Sequence, residues 1–356
     1  MRTSRIGTAA LAPVAVLWPL LSHATSYQVF VTNEKSGEVT IINGQDFSVL
    51  ATVPIGKRPR GIHVSPDGKT VYVAVSGTPM EGPPQLDAHG NPIFEKKKGG
   101  DDDNDANADK SADGIATIDV ASRKVTGKLN GGSDPEEFSL SRDGKQIYIS
   151  NEDTKSASVI GIASGKVEHI IAVGAEPEGV TTRPDGKQFY VTCEAGGDVY
   201  VIDTATFKAV GHFKVNGRPR SVAFVSNGSV AFVPSESAGE LNVVDAAGAA
   251  VTKTITLPTG SRPMKVWVSA DDGSVYLTNG RAGTVSVLDA HSGALLQTIK
   301  VGTRPWGIGF SPDGKFLFTA NGPSNDVSVV DVAKHEEVMR VKAGTGPWGI
   351  AIVPIP

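Results

Sequence analysis

Short apolar runs of four to seven residues recur along the chain, separated by polar turns. After the first 25 residues the pattern has a fixed order. A Val-Gly-x-x-Pro-x-Gly phrase leads into an apolar run, then a Pro-Asp-Gly-Lys turn, then a Tyr-Val-Thr-Asn-like run, then two further runs. The anchor prolines are Pro59, Pro135, Pro177, Pro219, Pro263, Pro305 and Pro347, spaced by 76, 42, 42, 44, 42 and 42 residues. The first spacing is one repeat plus 34 residues. Runs rich in β-branched residues and bounded by turn residues are strands. Each unit therefore reads as four strands, A to D, as in Gly307 to Ser311 for A, Phe189 to Thr192 for B, Val285 to Asp289 for C and Leu296 to Val301 for D. Asp67-Gly68, Asp143-Gly144, Asp185-Gly186 and Asp313-Gly314 supply the positive φ that a tight A–B hairpin demands. Asn227-Gly228 and Asp272-Gly273 stand in for them in two divergent units.

Four antiparallel strands in about 42 residues make one propeller blade, and seven anchors predict seven blades. A lone blade cannot bury both of its faces, whereas a ring of them can. The last unit stops after one strand, Trp348 to Val353. The mature chain starts with B, C and D strands at Gln28 to Thr32, Glu38 to Ile42 and Val49 to Val53. The final strand A is therefore expected to pair with the first strand B, closing an all-β, seven-bladed propeller without free edges. An open solenoid would need capping repeats at both ends, and none is recognisable. Tyr190-Val191-Thr192, Val199-Tyr200-Val201-Ile202-Asp203 and Ser311-Pro312-Asp313-Gly314-Lys315 carry a resemblance to the YVTN family of propeller repeats. That resemblance implies the fold and leaves function open.

Composition narrows the function classes. Residues 1–24 read as a secretory signal peptide: Arg2 and Arg5, an apolar stretch from Ala9 to Leu21, then Ser22-His23-Ala24 as the cleavage site. The stretch is shorter than the ~20 apolar residues of a bilayer-spanning helix. No later run spans a membrane either, so an exported, periplasmic propeller over 25–356 is expected. The net charge is −4, or −6 once Arg2 and Arg5 are removed. This argues against nucleic acid as a general partner, since that affinity comes from neutralising phosphates. Cys193 is the only cysteine. It excludes an internal disulfide, a multi-thiolate zinc site and two-thiol haem attachment, and it reads as a structural thiol.

Strand polarity places the D–A loops, with their prolines, on the same face as the B–C loops. Strand A is innermost, so the residue after each proline should ring the channel mouth: Arg60, Glu136, Glu178, Arg220, Met264, Trp306 and Trp348. Arg60, Glu136, Glu178, Arg220, Trp306 and Trp348 are the expected ligand-binding set. Charge sorts by unit. Asp134, Glu136, Glu137, Glu176 and Glu178 form an acidic sector. Arg218, Arg220, Arg262, Lys265 and Arg304 form a basic one, with Arg58 and Arg60 beyond the tryptophans. Glu34, Glu152, Glu194 and Glu236 join the same rim from B–C loops. Arginine forks suit carboxylates and tryptophan suits planar or apolar groups. The plainer reading is that these charges pair between neighbouring blades and stabilise the rim.

No catalytic constellation stands out. There is no GxSxG, P-loop or dinucleotide fingerprint. The histidines show no two-ligand spacing. His63, in a strand A, either faces the channel or is hydrogen-bonded between blades. No cofactor is expected, and Ca²⁺ is the one candidate. Glu136, Glu152, Glu178 and Glu194 converging from adjacent blades are one hard-cation candidate. Asp103 and Asp105 are another, in the insertion at 77–112, where Asp103, Asp105, Asn107 and Asp109 alternate as in a calcium loop. Ala108 replaces the turn glycine there, and Gly114 the closing glutamate. Such a charged insertion reads as a solvated loop.

Several phrases go further than the generic repeat: Asp134-Pro135-Glu136, Asn151-Glu152-Asp153, Glu176-Pro177-Glu178-Gly179, Arg218-Pro219-Arg220, Ser235-Glu236, residues 317–322 and 324–329, and Pro347-Trp348-Gly349. Together they resemble the PQQ-dependent catabolism-associated β-propeller family. The resemblance implies an accessory, non-enzymatic binding or scaffold protein in periplasmic quinoprotein-linked alcohol catabolism. Its partner would be a quinoprotein dehydrogenase, an associated transport system or a small polar ligand. A lactonase-like metal-dependent hydrolase and a cell-envelope interaction module are the alternative expectations.

Overall fold

The computed structural model describes residues 26–79 and 108–355. The expected signal peptide and the candidate ligands Asp103 and Asp105 lie outside the described residues. Seven four-stranded antiparallel sheets make up the ring. We number the blades 1 to 7 from the N-terminus and name the strands A to D outward. Blade 1 is built from both chain ends. Its strand A, Pro347–Pro354, pairs with its strand B, Tyr27–Asn33, with Phe30 opposite Ala351. The closure expected from the sequence is thus the one observed. Strands A of blades 2 to 7 are Ile62–Val64, Pro135–Leu140, Pro177–Thr182, Ala223–Phe224, Pro263–Val268 and Pro305–Phe310. The two shortest belong to the two units with an Arg-Pro-Arg phrase.

Strands B and C are buried on both faces, whereas strands D, such as Lys208–Lys214, are mostly exposed. Each seam between blades holds its own apolar cluster. Phe30, Val39 and Ile41 meet Ile62, Val71 and Val73 between blades 1 and 2, and Tyr148 and Val159 meet Val180 and Phe189 between blades 3 and 4. Full burial of one such side chain stabilises by about 1.5–3 kcal/mol, so the ring is held by seven comparable interfaces.

The repeat motif has a structural role at each residue. In the Pro-Asp-Gly-Lys turn Asp67 accepts from Ser65 Oγ (2.6 Å) and Lys69 N (3.1 Å), with Gly68 at φ +72°. The Asn ending strand B staples strand C: Asn279 Nδ2 donates to Ser286 Oγ (2.8 Å), and Asn321 Nδ2 to Ser328 Oγ (2.9 Å). The preceding Thr stitches blades together. Thr32 Oγ1 donates to Arg60 O of the next blade (2.7 Å) and accepts from Gly349 N (2.8 Å). Thr278 does the same with Trp306 O (2.9 Å) and Lys265 N (3.0 Å). Glycine two residues past the proline lets adjacent inner strands touch. A Cβ on Gly349 would come 2.6 Å from Arg60 O.

Candidate functional site

The inner strands enclose a cavity of about 230 Å³ on the propeller axis. One wall is apolar, made by Ile308, Phe310, Ile350, Trp306, Trp348 and Trp267 among others. The polar part of the lining is His63, Glu137, Lys265, Glu178 and Arg220. The rim above is held in fixed directions. Arg58, Asp134, Glu176, Arg262 and Arg304, each just before an anchor proline, all sit at φ between +41° and +54°. Non-glycine residues adopt that region at a cost of order 1–3 kcal/mol, so surrounding structure must impose it.

Of the expected ligand-binding set, Glu178, Arg220, Trp306 and Trp348 line the cavity. Arg60 and Glu136 lie away from it, in a knot between blades 2 and 3. Arg60, 1% exposed, bonds Asp134 and Glu136 and donates to Pro135 O (2.8 Å), with Glu152 3.7 Å away. Beside it Arg58 Nε meets Glu34 at 3.2 Å. A second knot joins blades 4 and 5. Arg220 Nη1 lies 2.7 Å from both Glu178 and Glu194, and its Nε donates to Glu236 (2.7 Å). Arg218 pairs with Glu194. The acidic and basic sectors are therefore not separate surfaces. They interlock at seams, and the B–C loop glutamates do join them, as strand polarity indicated.

Burial and crowding split the carboxylates electrostatically. Burial pushes Asp134 upward, but Arg60 and Arg58 prevail and hold it below the usual range. Burial dominates at Glu152, outweighing Arg60, and with Asp134 and Glu178 nearby its carboxyl rises to about 8. Glu194 rises well above its ordinary value for the same reason, despite Arg220. Arg220 and Arg218 overcome burial at Glu236 and hold it low.

A third cluster crosses the axis. Lys265, on strand A of blade 6, reaches Glu137 on strand A of blade 3, and His63 Nε2 lies 3.0 Å from the other Glu137 oxygen. Burial works against the Glu137 anion, but Lys265 and His63 outweigh it and bring the carboxyl down to about 2. Glu137 and Lys265 had merged into the general charge pattern of the sequence. Their signal was positional, for both stand where blades 1, 2, 4 and 7 carry Gly349, Gly61, Gly179 and Gly307.

The aromatic half is built differently. Trp306 and Trp348 stack with ring centroids 5.6 Å apart, 22° from parallel. The Arg220 and Arg304 guanidiniums lie 5.2 and 5.1 Å from the Trp306 ring centre. Deeper in the channel Trp267 stacks on Phe310 at 5.8 Å.

The metal candidates are divided between the knots, Glu136 and Glu152 on Arg60, Glu178 and Glu194 on Arg220. Among the described residues no group of three or more His, Cys, Asp or Glu side chains is arranged to hold a metal ion. Cys193 is buried in the seam of blades 3 and 4, and burial pushes its thiol up to about 12, so it is neither thiolate nor accessible. The ends of the insertion are tied down: Gly77 N donates to Asp113 Oδ1 (2.8 Å), and Asp109 pairs with Lys57 (2.8 Å).

Comparison with known proteins agrees with this architecture. The model of the YNCE-like beta-propeller family matches residues 90–184 and 219–353. The chain belongs to that family. The YncE protein of Salmonella typhi is 34% identical over 67 residues, 19% of this chain and 18% of that relative. Less than a fifth of the relative's length is thus matched. Solved structures share the fold at low identity. The periplasmic gluconolactonase PpgL of Pseudomonas aeruginosa superposes with a TM-score of 0.70 at 19% identity, covering 93% of this chain and 100% of that one. A putative 6-phosphogluconolactonase of Bacteroides uniformis gives 0.71 at 16%, covering 92% and 100%. Hydrazine synthase of Kuenenia stuttgartiensis gives 0.70 at 19%, covering 86% and 92%. At such identities the likeness is one of fold alone.

Proposed function

We propose that the protein is an exported, non-catalytic binding protein whose channel mouth captures a small polar or planar ligand. Its setting is periplasmic quinoprotein-linked alcohol catabolism, following the resemblance to the PQQ-dependent catabolism-associated propellers. One observation supports binding over catalysis. Five carboxylates of the cavity and the two knots, Glu136, Glu137, Glu152, Glu178 and Glu194, each lie within 4.0 Å of an arginine, lysine or histidine. The Trp306–Trp348 stack and the apolar wall are left as the recognition surface. Such a cavity, mostly apolar with a few convergent polar groups, is the usual form of a small-molecule site.

A lactonase-like hydrolase is the second reading. It is favoured by the Glu152 carboxyl at about 8, a general acid in neutral water, and by fold neighbours described as gluconolactonases. One experiment separates the two. Purified mature protein is titrated by tryptophan fluorescence with small alcohols, aldehydes and carboxylates, and in parallel assayed for δ-gluconolactone hydrolysis. Saturable quenching without turnover, lost in Trp348→Ala, is the expected result. Turnover abolished by Glu152→Gln would replace the binding protein with the hydrolase. The pathway setting is tested by deleting the gene, which should impair growth on primary alcohols and spare growth on succinate.

A further inference from the structure

Four arginines stand just before an anchor proline. Two of them meet a glutamate just after strand B of the preceding blade: Arg58 with Glu34, and Arg218 with Glu194. Arg262 does not, since Glu236 after strand B of blade 5 lies on Arg220 and Arg218. Arg304 occupies that position in blade 7, where its counterpart in blade 6 is Gly280. Among the described residues Arg304 has no carboxylate within 4.0 Å. It is exposed, its backbone is held at φ +51°, and its guanidinium rests 5.1 Å from the centre of the Trp306 ring. The equivalent loop residue in blade 7 is Gly322, and a Cβ there would lie 3.6 Å from Trp306 Cδ1. Both blades thus carry a glycine where blades 1, 3, 4 and 5 carry a glutamate, and at blade 6 this leaves Arg304 without that partner.

The nearby carboxylates already have cations of their own. Glu178 is tied to Arg220, and Glu137 to Lys265 and His63. Glu236 and Glu34, whose charges reach Arg304, lie on Arg220 and Arg58. Arg304 adds a positive charge whose planar donors match a carboxylate's two oxygens. Below it the Trp306–Trp348 stack continues into Ile308, Ile350 and Phe310. A cavity of about 230 Å³ equals about seven or eight liquid water molecules, enough for one ring or a short chain.

We propose that the channel mouth is a site for a small monocarboxylate with an apolar, preferably planar body, its carboxylate on Arg304 and its body on the Trp306–Trp348 wall. This deepens the binding reading above and rests on it. The test uses three probes with one body and different heads: 3-phenylpropionate, 3-phenylpropionamide and 3-phenylpropylammonium. Dissociation constants come from tryptophan fluorescence and ligand-observed NMR, with the wild type, Arg304→Gln and Trp348→Ala. Thermal melts verify that each variant is folded. The carboxylate should bind the wild type at least tenfold more tightly than the amide or the ammonium. Arg304→Gln should bring the carboxylate down to the amide's affinity and leave the amide unchanged, and Trp348→Ala should weaken all three. Equal binding of the three heads, or a carboxylate preference that survives Arg304→Gln, overturns the anion site and leaves the binding reading standing. Absence of binding by all three probes to folded wild type overturns both.

Discussion

Blades 2 to 5 and blades 6, 7 and 1 share one repeat, yet they treat charge at the rim in opposite ways. In the first group arginines are drawn inward. Arg60 is 1% exposed, and Arg220 is surrounded by Glu178, Glu194 and Glu236. In the second group Arg304 is exposed and rests on Trp306 instead of a carboxylate. The difference teaches that the same loop can stiffen a seam or present a side chain. Before the proline, Arg58 and Arg218 meet a glutamate that follows strand B of the preceding blade, whereas at Arg304 that residue is Gly280.

Stability measurements should make that contrast large. Arg220→Ala leaves three carboxylates without their shared cation, and breaking buried pairs of this kind costs about 3–5 kcal/mol. Arg304→Ala gives up an exposed cation–indole contact worth about 0.5–1 kcal/mol. Urea unfolding of the two variants should therefore differ severalfold in the shift of midpoint. Equal shifts would mean that the knot is not what holds blades 4 and 5.

Acid should reveal the third cluster. The Glu137 carboxyl sits at about 2 in the folded protein, below its ordinary 4.5. A depressed carboxyl contributes stability that is fully present above the unfolded value and lost as pH falls through the folded one. The window is thus pH 4.5 down to 2, and the contribution is about 3 kcal/mol. Glu137→Gln should flatten that limb of the stability–pH curve relative to wild type. An unchanged acid limb would show that the cross-channel contact with Lys265 is not formed in solution.

Glu152 should act with the opposite sign. Its carboxyl is raised from 4.5 to about 8, so the folded state binds a proton the unfolded state has already released. Stability should fall as pH climbs from about 4.5 to 8, by a smaller amount than at Glu137 because water reaches its partly exposed edge. Glu152→Gln should remove that decline and raise the melting temperature at pH 8 but not at pH 4.5. A variant less stable than wild type at pH 8 would mean that the carboxylate is ionised and welcome beside Arg60.

Fold and site differed in how legible they were. Seven prolines, the Asp-Gly turns and the split terminal unit fixed the ring and its closure, because each reflects a local backbone demand repeated in register. Rim membership was also legible, since strand polarity alone placed Glu34, Glu152, Glu194 and Glu236 beside the prolines. Pairing was not. Whether Arg220 points at ligand or at Glu178 depends on side-chain direction across a seam, which no period in the sequence encodes. Nor does a repeat show that positions 137 and 265 face each other across the axis. Their one trace was charge at a site that is glycine in four other blades.

The same glycine site gives the smallest and most specific test. In blade 5 the stitching threonine is replaced by Pro234, which has no hydroxyl, and Ser221 stands where the glycine would be. Ser221 Oγ donates to Met264 O (3.0 Å) and accepts from Val266 N (3.1 Å). It thereby restores the bond to the next blade that Thr32 and Thr278 make from strand B. Ser221→Gly should cost about 1 kcal/mol, one buried hydrogen-bonding group left unsatisfied, read as a modest drop in the urea midpoint. Adding Pro234→Thr returns the motif to its common form and should recover most of the loss. The two changes are then compensating, not additive. Additive losses would show that Ser221 stabilises blade 5 in some way other than replacing the missing threonine.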